Sequence, residues 1–414
     1  MRVMIHAERI QKRIEEIYNC GEKKDGTHSR IAFSKEDEAG RKIFAQYLRT
    51  AGAEVHYDSA GNMIAHFKGS DETLPAIMMG SHLDTVPNGG KYDGVYGCVG
   101  PLEVLQAYQE KGIILRHPVD IIVFADEEGV RFGKGMVGSM AMSGQELDDF
   151  LPEDRDKDGL FRQDVMKIYE VEFADLAKAR RNAEDVQCFI ELHVEQGRNL
   201  ERRECQIGAV TTIAGVSRYL ITVNGETNHS GSTMMEDRRD ALVGVSEFIQ
   251  QIPGIIKANG SKYAVGTVGK LKVEPGAMNV IPGKVEFTLE VREQTDPGKI
   301  ELENILFSLL ESICNEQGLT YSFQRLVSYK CAPMDQQIVG RITEICKRKS
   351  IKSMELPSGA FHDAMFMSRV YPTGMIFVPS IKGISHAPQE YTRLEDLAAG
   401  CEVLYDLILE MDKI

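Results

Sequence analysis

The sequence predicts an α/β protein. A domain built on a mostly parallel sheet is interrupted by an inserted ferredoxin-like α+β domain. Three observations predict this. Short apolar runs at 75–79, 119–125 and 188–192 alternate with helix-patterned stretches, the mark of strands buried on both faces. From Thr211 the order becomes strand, helix, two strands, helix, strand, which is the ferredoxin-like order. At 414 residues the chain exceeds what one core comfortably fills. The expected boundaries are 1–210 and 328–414 for the two parts of the first domain, and 211–327 for the insert.

In chain order, residues 4–18 carry Ile10, Ile14 and Ile17 at helical spacing. Ser34 with Asp37 reads as a capping box, opening a helix to about Thr50 that Gly52 stops. Segments 54–57 and 62–67 flank Ser59-Ala60-Gly61 and read as a hairpin. The strand at 75–79 leads into a glycine-rich loop, and 97–111 reads as a helix. The strand 119–125 ends in Asp126-Glu127-Glu128-Gly129. Residues 143–185 are polar and read as mostly helical, and the strand 188–192 ends at His193. In the insert, 218–223 is a strand, 238–252 a helix, and 264–273 and 284–292 are strands around a Pro/Gly turn. A helix at 299–316 and a strand at 319–326 complete it. The remainder has a helix at 335–349, a short helix near 361–369, a strand at 374–378 and a helix from about Leu394.

Composition excludes several classes. The 62 acidic against 48 basic residues give a net charge of −14, which argues against nucleic acid as a partner. A small anion held by one local Arg or Lys remains compatible. The N-terminus has no apolar signal core, and no run approaches a membrane span. The eight Cys show no Cys-x-x-Cys and read as reduced thiols of a cytoplasmic protein.

The chemistry concentrates at strand ends. His82 and Asp84 follow the first buried strand and share one side of an extended backbone. A metal-binding imidazole usually gives its other N–H to a carboxylate that fixes its tautomer and orientation, so His-x-Asp can supply ligand and orienter. Asp93 can add an oxygen ligand from the loop; a plain polar loop is the alternative. Glu127 and Glu128 cannot point the same way from extended backbone. One can bind metal while the other takes a proton from water, the division that metal-assisted hydrolysis needs. His193, His229, His362 and His386 also lie at strand ends or in Gly-rich loops, whereas His6, His28, His56, His66 and His117 read as surface or structural, without acidic partners. Imidazole plus carboxylate suits zinc, and also manganese, cobalt or nickel.

The motifs Gly80-Ser81-His82-Leu83-Asp84-Thr85-Val86, Gly90-Lys91-Tyr92-Asp93-Gly94, Glu127-Glu128-Gly129-Val130-Arg131-Phe132, Glu191-Leu192-His193-Val194-Glu195-Gln196-Gly197, Asn228-His229-Ser230-Gly231 and Ser385-His386-Ala387-Pro388-Gln389-Glu390 carry a resemblance. Along essentially its whole length the chain resembles the binuclear metal-dependent amidase, hydantoinase and carbamoylase family, within the aminoacylase and di-zinc carboxypeptidase superfamily. Its members include N-carbamoyl-L-amino-acid hydrolases, β-ureidopropionases and allantoate amidohydrolases. The resemblance implies that Asp93 bridges two divalent metals, zinc first and manganese next. His82 and His193 would complete one position, Glu128 and His386 the other. Glu127 would be the general base, and Asp84 would orient His82. His229 would stabilise the oxyanion, from its own or a partner subunit. Arg292 and Asn279 would hold the substrate carboxylate, Gln196 the ureido group, and Gly359 and His362 would lie in a substrate-contact loop. The insert would be a lid through which a homodimer forms. Two departures stand out: Ser230, Ser232 and Met234 replace Ala, Thr and Pro of the lid motif, and Glu290 stands where Asp is common before Arg292. The implied activity is hydrolysis of the carbamoyl C–N bond of an N-carbamoyl amino acid or allantoate-like compound. Alternatives are an aminoacylase or dipeptidase of the same superfamily, and a metal-binding protein without turnover.

Overall fold

The computed structural model describes residues 5–414. The chain forms two compact units: the residues up to Thr211 with Pro333–Ile414, and Thr212–Ala332. The first unit is built on a sheet in the order Glu54–Tyr57, Met63–Phe67, Val119–Phe124, Ala76–His82, Val186–Val194, Thr373–Val378, Ile207–Ile213, with Ser353–Ser358 also on Ile207–Ile213. The central four, Val119–Phe124 through Thr373–Val378, run parallel, and antiparallel strands flank them. Three of these four are buried throughout, and the fourth at all but one residue. That is why they read as near-continuous apolar runs, interrupted by a few polar residues such as Asp120 and Glu191, rather than alternating ones. Each fully buried Ile, Val or Phe contributes roughly 1.5–3 kcal/mol of hydrophobic stabilisation. Helix Val95–Glu110 packs against Leu394–Met411, with Tyr96 donating to the Leu397 carbonyl at 2.7 Å.

Most expected elements form, with instructive differences. The first helix spans Ala7–Asn19, and Met4 lies outside the described residues. Ser34 caps Lys35–Thr50 by accepting the Asp37 N–H at 3.2 Å. The return half of the box is displaced, because Asp37 accepts from the Phe33 N–H instead. The region 143–185 is not mostly helical. It holds the four-residue helix Arg162–Val165 and short 3-10 turns. Asp156 captures the N–H groups of Asp158 and Leu160, and Asp154 that of Leu151, so side chains take donors a helix would need. The third strand begins and ends two residues beyond the expected run, which places His193 inside it. The strands Ile207–Ile213 and Ser353–Ser358 were not expected.

The second unit is an antiparallel sheet in the order Thr320–Tyr329, Gly215–Asn224, Lys284–Glu293, Val265–Thr267, with Leu271–Glu274 also on Lys284–Glu293. Alternate residues of Lys284–Glu293 are buried. They meet the helices Ala241–Asn259 and Asp296–Glu316 in a core that includes Phe248, Phe287, Val291 and Leu306. The first helix runs on past Pro253, where a stop was expected, because Ile256 packs into that core. The edge strand continues to Tyr329 through a bulge between Arg325 and Val327.

Candidate metal centre

In open α/β sheets, sites form beyond the carboxyl ends of the strands. Here the four parallel strands all deliver ligand-type residues at that edge. Ala76–His82 ends in His82. Val119–Phe124 runs into Asp126, Glu127 and Glu128. Val186–Val194 carries His193 near its end, and the loop after Thr373–Val378 carries His386. Asp126, Gln196 and His386 hold positive φ of 53°, 57° and 55°. Non-glycine residues in that region are strained, and such strain gathers at functional sites.

Asp93 is the centre. Its Oδ1 lies 3.2 Å from His193 Nε2 and 3.7 Å from His82 Nε2. Its Oδ2 lies 3.1 Å from His386 Nε2, which is 3.9 Å from Glu128 Oε2. His82, Asp93 and His193 offer ligand atoms within 4.8 Å of one another, and so do Asp93, Glu128 and His386. The two groups share only Asp93. Glu127 Oε2 sits 3.7 Å from His82 Nε2. Gly94 follows at φ +65°, and a Cβ there would lie 2.5 Å from the His82 ring, so only glycine lets the loop close over that imidazole.

The donor set fits divalent cations. The Nδ1 atoms of His82 and His193 face the main-chain oxygens of Asp84 at 3.0 Å and Val194 at 2.8 Å. A carbonyl only accepts, so each Nδ1 carries the proton and each Nε2 turns a lone pair toward Asp93. Lone pairs facing a buried carboxylate need a second proton or a cation between them. When that place is taken by a second proton on His193 and by one on His386 Nε2, burial is outweighed by their hydrogen bonds, which hold the Asp93 carboxyl well below the usual range. Burial pulls His193 down, yet Asp93 lifts it to about 9, while burial pushes His82 down to about 4. Burial, then the neighbouring carboxylates, pushes Glu127 and Glu128 well above the usual range. A cation among these groups would relieve that crowding.

Asp84 meets the His82 ring through its main chain rather than its side chain; the carboxylate oxygen is 3.8 Å away. The carboxylate instead accepts the N–H groups of Glu127 at 3.4 Å and Glu128 at 3.1 Å, fixing the turn that aims both acids.

Gln196 lies in this cluster, its Nε2 donating to Asp93 Oδ2 at 2.8 Å. The His362 ring packs edge-on against His193 at 4.4 Å, and its Nε2 meets Ser358 Oγ at 2.9 Å. Gly359 lies in the turn just after Ser353–Ser358. His229, Asn279 and Arg292 belong to the second unit. His229 bridges to Val280, and the Ser230 N–H donates to the Asn279 carbonyl at 3.0 Å, so His229 and Asn279 are neighbours. Arg292 donates to Glu290 at 2.8 Å, and Glu290 also pairs with Arg218.

Sequence reasoning gave no role to Glu191, although it interrupts an apolar strand, where a buried acid must find partners. It accepts the Ser81 hydroxyl at 2.8 Å and the Ala364 N–H at 2.9 Å, tying the His193 strand to the His362 segment. His66 was expected to lack acidic partners, yet it meets Asp120 at 2.8 Å and Glu72 at 3.0 Å.

Parallel strands that converge ligands on one shared carboxylate, beside a second buried acid, define a metal-dependent hydrolase. The description Peptidase family M20/M25/M40 matches residues 78–410, and the chain belongs to that binuclear metal-dependent family. The chain is 36% identical over 408 residues to an N-carbamoyl-L-amino acid amidohydrolase of Geobacillus stearothermophilus, covering 99% of each. It is 33% identical over 399 residues to an allantoate amidohydrolase of Bacillus subtilis, covering 96% of each. A solved amidase of the hydantoinase/carbamoylase family from Burkholderia multivorans superposes with a TM-score of 0.90 at 31% identity, over 99% of this chain and 98% of that one. The protein is a hydrolase acting on carbon–nitrogen bonds other than peptide bonds. Among the described residues, no helix is long and apolar enough to cross a membrane.

Proposed function

We propose that the protein hydrolyses the carbamoyl C–N bond of an N-carbamoyl amino acid or an allantoate-like ureido acid. The observation that carries this reading is Gln196. Its Nε2 is held on Asp93, while its Oε1 is buried with no hydrogen-bond partner. A buried acceptor at a hydrolytic centre calls for an N–H donor, and the terminal NH2 of a ureido head offers one on the carbonyl side of the scissile bond, where the alkyl part of an N-acyl amino acid has none. The same point ranks the aminoacylase reading second.

His82, Asp93 and His193 would hold one divalent ion, and Asp93, Glu128 and His386 the other. The set favours zinc and admits manganese, cobalt or nickel. When bound, the metals lower the pKa of water and polarise the substrate carbonyl. Glu127 takes the proton from the attacking water and returns it to the leaving nitrogen. A metal-binding protein without turnover would have no use for Glu127. Asp84 holds Glu127 and Glu128 on their separate tasks through the two N–H groups. His229 donates to the developing oxyanion. Arg292 grips the substrate carboxylate, with Asn279 as a second donor. An N-carbamoyl amino acid and one water give amino acid, ammonia and carbon dioxide.

The second unit supports a homodimer. His229 and Asn279 sit by the Lys284 end of its sheet, whereas Arg292 is eight positions along that strand, close to its other end. That is about 26 Å of extended chain, too far for one small substrate to touch both ends in one chain. A second copy would supply one end. The eight free Cys, mostly buried, suit a reducing cytoplasm.

The test is ammonia release from N-carbamoyl-L-amino acids, N-carbamoyl-β-alanine, allantoate and ureidoglycolate, with release of free amino acid from N-acetyl amino acids as the control. Protein stripped by chelator is reloaded with zinc or manganese. One ureido acid turns over and the N-acetyl compounds do not. Faster deacetylation, or full activity of the stripped protein, overturns the reading.

A further inference from the structure

We propose that Glu390 is the positioning residue that locks Asp93 and His386 together, and so governs retention of the ion at the Asp93–Glu128–His386 position. Its carboxylate is nearly fully buried and reaches across from the loop after Thr373–Val378 to the loop after Ala76–His82. Oε1 accepts two consecutive main-chain N–H groups, from Tyr92 at 2.7 Å and Asp93 at 3.0 Å. Oε2 accepts the Ser385 hydroxyl at 2.9 Å, and that hydroxyl also lies 3.1 Å from Asp93 Oδ2. One side chain thus fixes the backbone of the shared ligand and the residue just before His386. The approach depends on Gly90, where a Cβ would lie 2.3–2.4 Å from the Glu390 carboxylate.

The two metal positions differ in what else supports them. His82 and His193 sit on buried strands, with side chains only 2% and 1% exposed. The His386 side chain is 48% exposed, on a loop residue of positive φ. Packing cannot hold that ring in place, so the clamp from Glu390 through Ser385 does. Without it, the His82–His193 position keeps two of its three ligands on buried strands, whereas the His386 position loosens at both Asp93 and His386. Outer partners of metal ligands typically govern affinity by about 10- to 100-fold.

The inference rests on the reading that these residues hold two ions. Metal content of the intact protein after dialysis is measured by atomic emission, together with the affinity for each ion by chelator competition. The wild type retains two ions per chain. Glu390→Ala and Glu390→Asp retain one, with the second bound at least tenfold more weakly. Asp keeps the charge but falls one methylene short. Glu390→Gln retains two, since its amide oxygen still accepts both N–H groups and its NH2 can meet Ser385. Gly90→Ala displaces the carboxylate and resembles Glu390→Ala, and it carries the test should Glu390→Ala fold poorly. Thermal unfolding in excess chelator is expected to be alike for wild type and Glu390→Asp, which separates clamping from general stability. Two ions in Glu390→Asp and Gly90→Ala with wild-type affinities overturn the proposal. A wild type that does not bind two ions would instead overturn the metal-centre reading.

Discussion

Glu127 and Glu128 are adjacent, and their surroundings separate them. Glu127 is buried against His82, while Glu128 turns toward His386. Glu127→Gln keeps the volume and removes the proton acceptor. Turnover is expected to fall by about 10²–10⁴-fold, the usual worth of a general base, with both ions still bound. Steady-state rates and metal analysis on one preparation check this, and retained activity would remove Glu127 from the mechanism. At this scale much was legible. His82, Asp93, Glu128, His193 and His386 are drawn together, because strand ends in a parallel sheet must converge on one edge. The job of the Asp84 carboxylate was not legible. Its partners are main-chain N–H groups of another loop, and a main-chain partner leaves no trace in residue identity.

The strand Met63–Phe67 carries an ion-pair network at its edge. His66 faces Asp120 on the neighbouring strand, and Asp120 also pairs with Arg181. The Asp120 hydrogen bond, against burial and with help from Glu72, raises His66 from 6.5 to about 9. The folded state therefore binds the proton more tightly than the unfolded chain. That stabilisation is fully present below pH 6.5 and is lost as pH rises through about 9. The melting temperature of His66→Gln should fall below that of wild type at pH 6 and converge with it above pH 9.5; a constant gap would exclude the linkage. Apolar strands and capped helices were readable because burial and caps leave strong local patterns. The segment 143–185 was not, since its polar residues fit an exposed helix equally well. Only the tertiary use of Asp154 and Asp156 decides against one.

For the whole molecule, the insert leaves and returns by segments that run side by side. The Gly215 N–H meets Cys331 Sγ at 3.2 Å, and the Met334 N–H donates to the Thr211 carbonyl at 3.0 Å. A short glycine linker from Thr211 to Pro333 should therefore leave the first unit folded. It is expected to keep two ions and lose turnover, having lost His229, Asn279 and Arg292. Circular dichroism, metal content and ammonia release check all three, and a metal-free product would tie the centre to the insert.

The sheet order also sets a clock. Thr373–Val378 lies beside Val186–Val194, and His386 follows it. On the ribosome, His193 emerges long before His386. At about 5–20 residues per second the interval is roughly 10–40 s. Through that time the nascent chain holds three loops of a centre whose fourth has not been made. A chain broken off before residue 386 would bring His82, Glu128 and His193 to Asp93 without the imidazole of the fourth loop, and on the proposed reading one of the two metal positions would stay incomplete.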